Sequence, residues 1–344
     1  MMNAQSDTIV SSTPNDSAKN GSVSVIIVNY NTLGLLRDCL SSLERAGVDR
    51  AGAPLAEIIV VDNASSDGSP EMVEREFPAA ILIRNPENAG FSRANNQAIQ
   101  VAQGKYIWLL NSDTIVRPGA PAFMAEFLDV RPDVSGVTCK LLNADGSIQA
   151  SVSNRPGPVL LFFRLIGISR LISGSRARRW LARSFGFILG KTIRAYLAPY
   201  AARDSPVEVE SISGACLMLR RNAIAEVGLL DERFFMYFED MDYCLRLRKA
   251  GLKLCYLPQG EVVHLVGQSS GGRMRGYSVH SYRAMFYFYR KHFSYPMQFA
   301  ARAIVVALSG LRWAWNWMRG KCSGKPLYRQ NERDLAQIIR VCFE

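Results

Sequence analysis

Three acids fall within four positions at Glu239-Asp240-Met241-Asp242, directly after the aromatic run Phe234-Phe235-Met236-Tyr237-Phe238. They open an amphipathic stretch in which Tyr243, Leu245 and Leu247 are apolar. Carboxylates in a first helical turn gain a few tenths to about 1 kcal/mol from the macrodipole, which is the plain structural use of such a cluster. The chemical use is a general base kept ionised by the helix N-terminus and held rigid by Phe234, Phe235 and Tyr237. A second candidate centre is Asn111-Ser112-Asp113, which ends the apolar run Ile107–Leu110. Ligands of open parallel sheets bind outside the carboxyl ends of strands. A carboxylate at that edge can hold Mg²⁺ or Mn²⁺, and the ion in turn a diphosphate. Taken alone, Asn-Ser-Asp is a turn capping a strand; its company argues for more.

The elements that must position these residues repeat a single scheme. Val23–Val28 reads as a strand stopped by Asn29-Tyr30-Asn31, and Leu35–Ala46 as a helix stopped by Gly47. Glu57–Val61 is a second strand running into Asp62-Asn63-Ala64-Ser65-Ser66-Asp67-Gly68, followed by a Pro-initiated helix over 70–77. Ala80–Arg84 is a third strand, Ser92–Gln103 a helix, and Tyr106–Leu110 a fourth strand. Four successive β-α units, each strand ending in polar residues, predict a parallel sheet with right-handed crossovers. Neither G-x-G-x-x-G nor G-x-x-x-x-G-K-[ST] occurs, so nucleotide recognition would fall to strand-end side chains: Asn29, Asp62, Asp67 and Asp113. Such acids can accept hydrogen bonds from a pyrimidine N–H and from ribose hydroxyls, although each alone is also an ordinary turn residue. Farther on, Glu208–Leu219 reads as one strand with Gly214 open to close approach by a ligand, and 251–257 as another. Glu261-Val262-Val263-His264 then leads to the Gly/Ser-rich stretch 267–272, which has the composition of a lid.

The chain has 344 residues, 48% of them hydrophobic, and a net charge of +11, which suits a full core and anionic partners. Its seven cysteines contain no C-x-x-C pair, and its three histidines are not set against cysteines at zinc-ligand spacing. That pattern predicts reduced thiols in a cytosolic setting. Residues 1–21 are polar and read as a disordered leader, and no apolar run approaches the ~20 residues needed to cross a bilayer.

Four motifs in order resemble the inverting glycosyltransferases of family 2, in particular their rhamnosyltransferase-like branch. They are Val25-Ile-Ile-Val-Asn-Tyr-Asn31, Val60-Val-Asp-Asn-Ala-Ser-Ser-Asp-Gly-Ser69, Asn88-Ala-Gly-Phe-Ser-Arg-Ala-Asn-Asn96 and Leu110-Asn-Ser-Asp-Thr114. The resemblance spans 23–272 and implies a GT-A fold: a Rossmann-like α/β domain with a mostly parallel mixed sheet flanked by helices. It implies a donor-binding half over 22–145, an inserted segment over 146–205 and an acceptor half over 206–275, together one domain over 22–275. Asp62 would contact the base, while Asn29, Tyr30, Asn31, Asn88, Gly90, Phe91, Asn95, Asn111, Ser112 and Gly214 would line the nucleotide-sugar site. Asp113 would be the metal-binding end of the D-x-D motif, whose first position here is Asn111, leaving one carboxylate rather than two. His264 would be a second metal or diphosphate ligand for Mg²⁺ or Mn²⁺, with Ser269-Ser270-Gly271 closing over it and Arg273 and Arg275 offsetting leaving-group charge. The Glu-Asp motif falls on Glu239-Asp240, with Asp240 the expected base, Glu239 the second choice and Asp242 structural. The donor implied is dTDP-L-rhamnose and the acceptor a lipid-linked saccharide, met at the cytoplasmic face of a bacterial inner membrane.

From Gly146 to Arg203 there is no acid, yet ten Lys/Arg residues interleave with Leu, Ile, Phe and Trp180. Such helices suit an anionic membrane surface; a basic insertion packed on the core is the alternative. Nucleic acid fits the charge, but no recognition motif accompanies it. The segment 276–344 reads as an amphipathic helical tail, with Trp313, Trp315 and Trp317 suited to an interface. A nucleotidyltransferase would need a basic phosphate loop early on, and Val28–Gly34 holds no Lys or Arg. A non-catalytic scaffold would have no need of a base.

Overall fold

The computed structural model describes residues 23–47, 55–153, 157–165, 204–265, 279–323 and 326–343. The leader, most of the basic insertion and the 266–278 stretch, with its Ser269-Ser270-Gly271 loop, Arg273 and Arg275, lie outside them.

The first half alternates as the sequence predicts: β1 (Val23–Asn29), α1 (Leu33–Gly47), β2 (Leu55–Asp62), α2 (Ser69–Glu76), β3 (Ile81–Arg84), α3 (Phe91–Val101) and β4 (Tyr106–Asn111). These four strands lie in the order β3-β2-β1-β4 and are all parallel. The central strands are buried on both faces, so their residues alternate between two cores. Val25 and Ile27 with Tyr106, Trp108 and Leu110 join the core under α1, while Ile26, Ile107 and Leu109 join the one under α3. Helix α1 meets its core through Leu36, Cys39, Leu40 and Leu43, the stripe its spacing predicts.

Beyond β4 the sheet becomes mixed. After β5 (Thr114–Val116), α4 (Ala120–Val130) and β6 (Val134–Leu142), the chain forms β7 (Val152–Ser153) and α5 (Pro158–Leu165). It then forms β8 (Val207–Glu208), β9 (Ser211–Ile212), β10 (Cys216–Arg220), α6 (Arg221–Val227), α7 (Glu239–Lys249) and β11 (Lys253–His264). Strand β10 enters antiparallel between β4 and β6, and β11 runs parallel to β6 with β5 antiparallel on its far edge.

Two strands differ from expectation. The stretch 208–219 is not continuous: β8 pairs with β11, β9 with β7, and β10 with β4 and β6. The break falls at Ser213-Gly214-Ala215, where the Cys216 N–H closes a turn on the Ser213 carbonyl at 3.2 Å. Conversely, 253–264 is one strand with a register shift between Tyr256 and Glu261, and Gly260 there has φ +73. The Pro258-Gln259-Gly260 segment bends the strand without ending it.

The C-terminal segment folds as α8 (Val279–His292), α9 (Tyr295–Ser323) and α10 (Pro326–Val341). Helix α8 packs onto the sheet domain: Tyr282, Met285, Phe288 and Tyr289 share a third core with Phe234, Phe238 and Leu245. Leu161 and Leu165 of α5, the one described helix of the basic insertion, pack into the same core. Among the described residues no helix is long and apolar enough to cross a membrane. The six described cysteines are buried free thiols.

Candidate active site

Strand register places the predicted residues along one edge of the sheet. Asn29 pairs with Asp62, Val28 with Asn111, and Thr114 with His264. The Asn111 N–H reaches the Ala215 carbonyl at 3.1 Å, so the Gly214 turn meets the end of β4.

The first polar cluster spans the β1 and β2 ends. Asn29 Nδ2 donates to Asp62 Oδ1 at 2.8 Å and to Ser65 Oγ at 3.0 Å, and the Ser65 N–H reaches Asp62 Oδ2 at 2.9 Å. Thr32 Oγ1 donates to Asn29 Oδ1 at 2.5 Å and lies 3.0 Å from Ser112 Oγ, which ties the cluster to the β4 end. Asp62 is only 3% exposed, yet each of its oxygens has a further lone pair for a ligand. Asn31 bridges to the Ser66 N–H at 2.7 Å, and Tyr30 is 47% exposed, presenting a ring beside the cluster. Asp67 has a different job: it accepts the N–H groups of Leu33 at 2.8 Å and Ser69 at 3.1 Å, clamping the starts of two helices.

The second cluster is the metal candidate. His264 Nε2 lies 3.1 Å from Asp113 Oδ1 and 3.3 Å from Asn111 Nδ2. Its other ring nitrogen, Nδ1, lies 2.7 Å from Gln149 Oε1, a partner of the kind that fixes a ligating imidazole. Asp113 is 1% exposed, and its carbonyl accepts the Leu265 N–H at 2.8 Å. Among the described residues no group of three or more His, Cys, Asp or Glu side chains could hold a metal. One buried carboxylate and one oriented imidazole, with water and diphosphate oxygens for the remainder, nevertheless suit Mg²⁺ or Mn²⁺.

The third cluster carries the candidate base. Asp240 Oδ2 accepts the Gly214 N–H at 3.1 Å and Oδ1 the Met241 N–H at 2.7 Å. A Cβ on Gly214 would stand 3.6 Å from both Asp240 Cβ and Phe91 Cε1, so this turn brings α3 and the start of α7 together. Phe91 is itself anchored, its N–H reaching the Phe235 carbonyl at 2.6 Å. Gly90, at φ +84, lies so close that a Cβ would come within 2.7 Å of that carbonyl. Asn88 Oδ1 supports the turn by accepting the Gly90 N–H at 3.0 Å. Asn95 turns inward, 1% exposed, its amide donating to the Phe91 carbonyl at 2.8 Å.

Glu239 is buried, and its Oε2 has no hydrogen-bond partner among the described residues. Burial pushes its carboxyl well above the ordinary range, and the neighbouring Asp240 charge acts in the same direction. Asp242 is wholly buried, with Arg246 Nε at 3.0 Å, Lys291 Nζ at 2.7 Å and His292 Nε2 at 2.6 Å. Burial acts to raise its pKa, but the bonds from His292 and Lys291 outweigh that and the net shift is downward. Among the described residues the non-glycine positive-φ positions are Asn31, Ala64, Tyr237 and Phe238, all in loops flanking these clusters. Strain of about 1–3 kcal/mol per residue is held there.

Sequence reasoning missed Gln149, Thr32 and Ser65, whose roles depend on contacts from 34 to 115 residues away that no local pattern announces. Phe235, expected to pack behind the base, is 41% exposed; Phe234 and Phe238 are the buried pair.

A sheet of this order, with candidate donor residues at one edge and a carboxylate at the junction of two halves, defines a GT-A glycosyltransferase fold. A solved structure of GalNAc-T7 with UDP, GalNAc and Mn²⁺ shares it at a TM-score of 0.51 and 16% identity. The match covers 78% of this chain and 49% of that one, so this chain spans about half the length of that structure. The profile of glycosyl transferase family 2 matches residues 24–228, and the chain belongs to that family. It is 27% identical over 271 residues to the N-acetylglucosaminyl-diphospho-decaprenol L-rhamnosyltransferase of Mycobacterium tuberculosis, covering 72% of this chain and 77% of the relative. It is also 24% identical over 252 residues to the poly-beta-1,6-N-acetyl-D-glucosamine synthase of Staphylococcus aureus, covering 73% and 51%.

Proposed function

We propose that this glycosyltransferase works with inversion, moving L-rhamnose from dTDP-L-rhamnose to a sugar hydroxyl of a lipid-linked diphospho acceptor at the cytoplasmic face of the inner membrane. The observation that carries the mechanism is the placing of Asp240. Its carboxylate is fixed by the Gly214 and Met241 N–H groups, opposite Phe91 of the donor half. In a single displacement Asp240 takes the acceptor hydroxyl proton as the oxygen bonds to the anomeric carbon. The glycosidic C–O bond breaks, and its electron pair leaves with the nucleoside diphosphate. Glu239 is a poorer base, being buried and inclined to stay protonated. Asp113 and His264 would hold the divalent cation, which supplies positive charge to the diphosphate. Asn29, Asp62 and Tyr30 would receive the base and ribose. The sugar and lipid-linked acceptor are suggested by the mycobacterial relative, and a membrane-surface site by the exposed Trp313, Trp315 and Trp317 of α9.

Calorimetry with dTDP-, UDP- and GDP-sugars, each with and without Mn²⁺, tests this reading. Expected are tightest binding of dTDP-L-rhamnose, Mn²⁺-dependent weakening by Asp113→Ala, and none by Asp240→Asn. In a transfer assay Asp240→Asn should lower kcat by about 10²–10⁴. Preference for another sugar nucleotide would overturn the donor assignment, and full activity of Asp240→Asn the mechanism.

A further inference from the structure

A cavity of about 400 Å³ opens between the loop leading to Asp240 and helices α8–α10. Its lining among the described residues is basic: Arg233, Arg283, Arg290 and Arg302 line it with His280, and none of the ten described lining residues is acidic. The nearby carboxylate of Asp231 is already bonded by Arg233 at 3.0 Å, Lys291 at 2.7 Å and the Tyr287 hydroxyl at 2.8 Å. Arg233 and Arg290 lie against the Tyr287 ring at 4.8 and 5.5 Å, and Arg302 against Phe286 at 5.5 Å. Rings that support guanidinium faces orient their N–H forks, and those forks match phosphate oxygens two at a time. An anionic group seated in the concavity would be attracted by the guanidinium groups that line it.

The cavity is joined to the candidate active site through Phe235. One side of this residue holds Phe91 and Gly90 of the donor half, and its ring faces His280 of the cavity at 5.3 Å between centroids. Asp240 follows five positions later, in the first turn of α7. The candidate donor diphosphate site, at Asp113 and His264, lies at the sheet edge and has its own ligands. Along α9, Phe299 stands one turn from Arg302 and is 66% exposed, an apolar surface continuing outward from the basic wall.

We infer that this arginine cavity holds the diphosphate of the acceptor, leaving the acceptor sugar at Asp240 and its lipid chain along α9. The inference rests on the reading that the acceptor is a lipid-linked diphospho sugar, and its test is separable from that reading. Arg283 and Arg290 are exposed on α8, so the double variant Arg283→Gln/Arg290→Gln leaves the core intact. Calorimetry with geranyl diphosphate, a soluble unreactive probe, needs no turnover. The wild type should bind it in preference to geranyl monophosphate, and the double variant at least about tenfold more weakly, with dTDP-sugar affinity unchanged. In transfer assays the variant should raise KM for a glycosyl-diphospho-lipid at unchanged kcat, and leave KM for the same sugar on a neutral aglycone alone. Equal binding of geranyl diphosphate by wild type and variant overturns the assignment. So does a parallel loss of dTDP-sugar affinity, which would make the cavity part of the donor site. A loss confined to anionic vesicles would make it a headgroup site and overturn it as well. If the wild type binds geranyl diphosphate through these arginines yet transfers no sugar, the proposed function fails and the cavity stands.

Discussion

Asp242→Asn should destabilise the protein far more than its position in a polar helical turn suggests. The carboxylate has no solvent exposure and meets Arg246, Lys291 and His292 within 3.0 Å. Removing one partner of a buried ionic cluster costs about 3–5 kcal/mol, because charge is left uncompensated. Two features here put the value at the lower end, about 3 kcal/mol. Arg246 keeps the carbonyls of Val227 at 2.9 Å and Leu229 at 2.7 Å, and Lys291 keeps Asp231 at 2.7 Å. At roughly 2–4 °C per kcal/mol for a domain of this size, the melting temperature at pH 7 should fall by about 6–12 °C. Since Lys291 and His292 belong to α8, the same change should loosen the C-terminal helices, seen as faster proteolysis in that segment.

The pH dependence has a definite sign. The folded pKa of Asp242 is lowered, so its contribution is present above the unfolded value of about 3.9 and is lost as pH falls through the folded one. The gap between wild-type and variant melting temperatures, followed by circular dichroism, should therefore stay constant from pH 8 to 5 and close only in stronger acid. A variant melting within about 2 °C of wild type at pH 7, or a gap that closes between pH 8 and 6, would refute the reasoning.

Glu239→Gln should do the opposite. Folding raises this carboxyl's pKa, so the wild type loses stability as pH rises above the unfolded value of about 4.3, and glutamine removes the loss. The variant should match wild type near pH 4 and melt higher at pH 8; a gap that does not grow with pH would count against a protonated Glu239. Gly90→Ala should cost at least about 1–3 kcal/mol from its φ of +84, plus displacement of the Phe235 carbonyl, and should lower kcat with it. A melting temperature and kcat equal to wild type would show that the Gly90–Phe235 contact yields freely. Trp313→Ser/Trp315→Ser/Trp317→Ser should weaken sedimentation with anionic vesicles at unchanged melting temperature, since all three rings are exposed; undiminished sedimentation would exclude this face as the membrane contact.

The donor half was legible because its information is local. A buried strand needs an apolar run, its end needs polar turn residues, and Asn29, Asp62 and Asn111 therefore fall at one sheet edge as soon as the strands are parallel. The metal candidate was half legible. Asp113 ends a strand and can be read as such, but its pairing with His264 exists only because β11 continues past Pro258 and runs antiparallel to β5. A proline and a glycine in three residues read as a strand end, and only tertiary pairing carries the strand across them. The division of 208–219 into three short strands was hidden for the converse reason. The residues favour extended backbone throughout, and it is the Gly214 turn, where Phe91 and Asp240 approach each other, that forces the break.

The C-terminal region shows the limit of composition. Aromatic and basic residues in a helix suit both a membrane surface and an internal interface, and in this chain such rings are buried on one helix and exposed on the next. On α8 the aromatic residues Tyr282, Phe288 and Tyr289 are buried in one core with Phe234 and Phe238 of the loop that precedes the candidate base. On α9 the rings of Trp313, Trp315 and Trp317 are exposed, with Lys321 lying over Trp317 at 4.0 Å. Periodicity cannot separate the two cases, but the acids can. Lys291 bonds Asp231 and Asp242 within the protein, and His292 bonds Asp242, whereas Arg233, Arg283, Arg290 and Arg302 line the cavity. A basic residue whose acid lies elsewhere in the fold is architectural. A basic residue that lines an open cavity can instead meet a ligand, and here the cavity lies one side chain, Phe235, from Gly90 and Phe91.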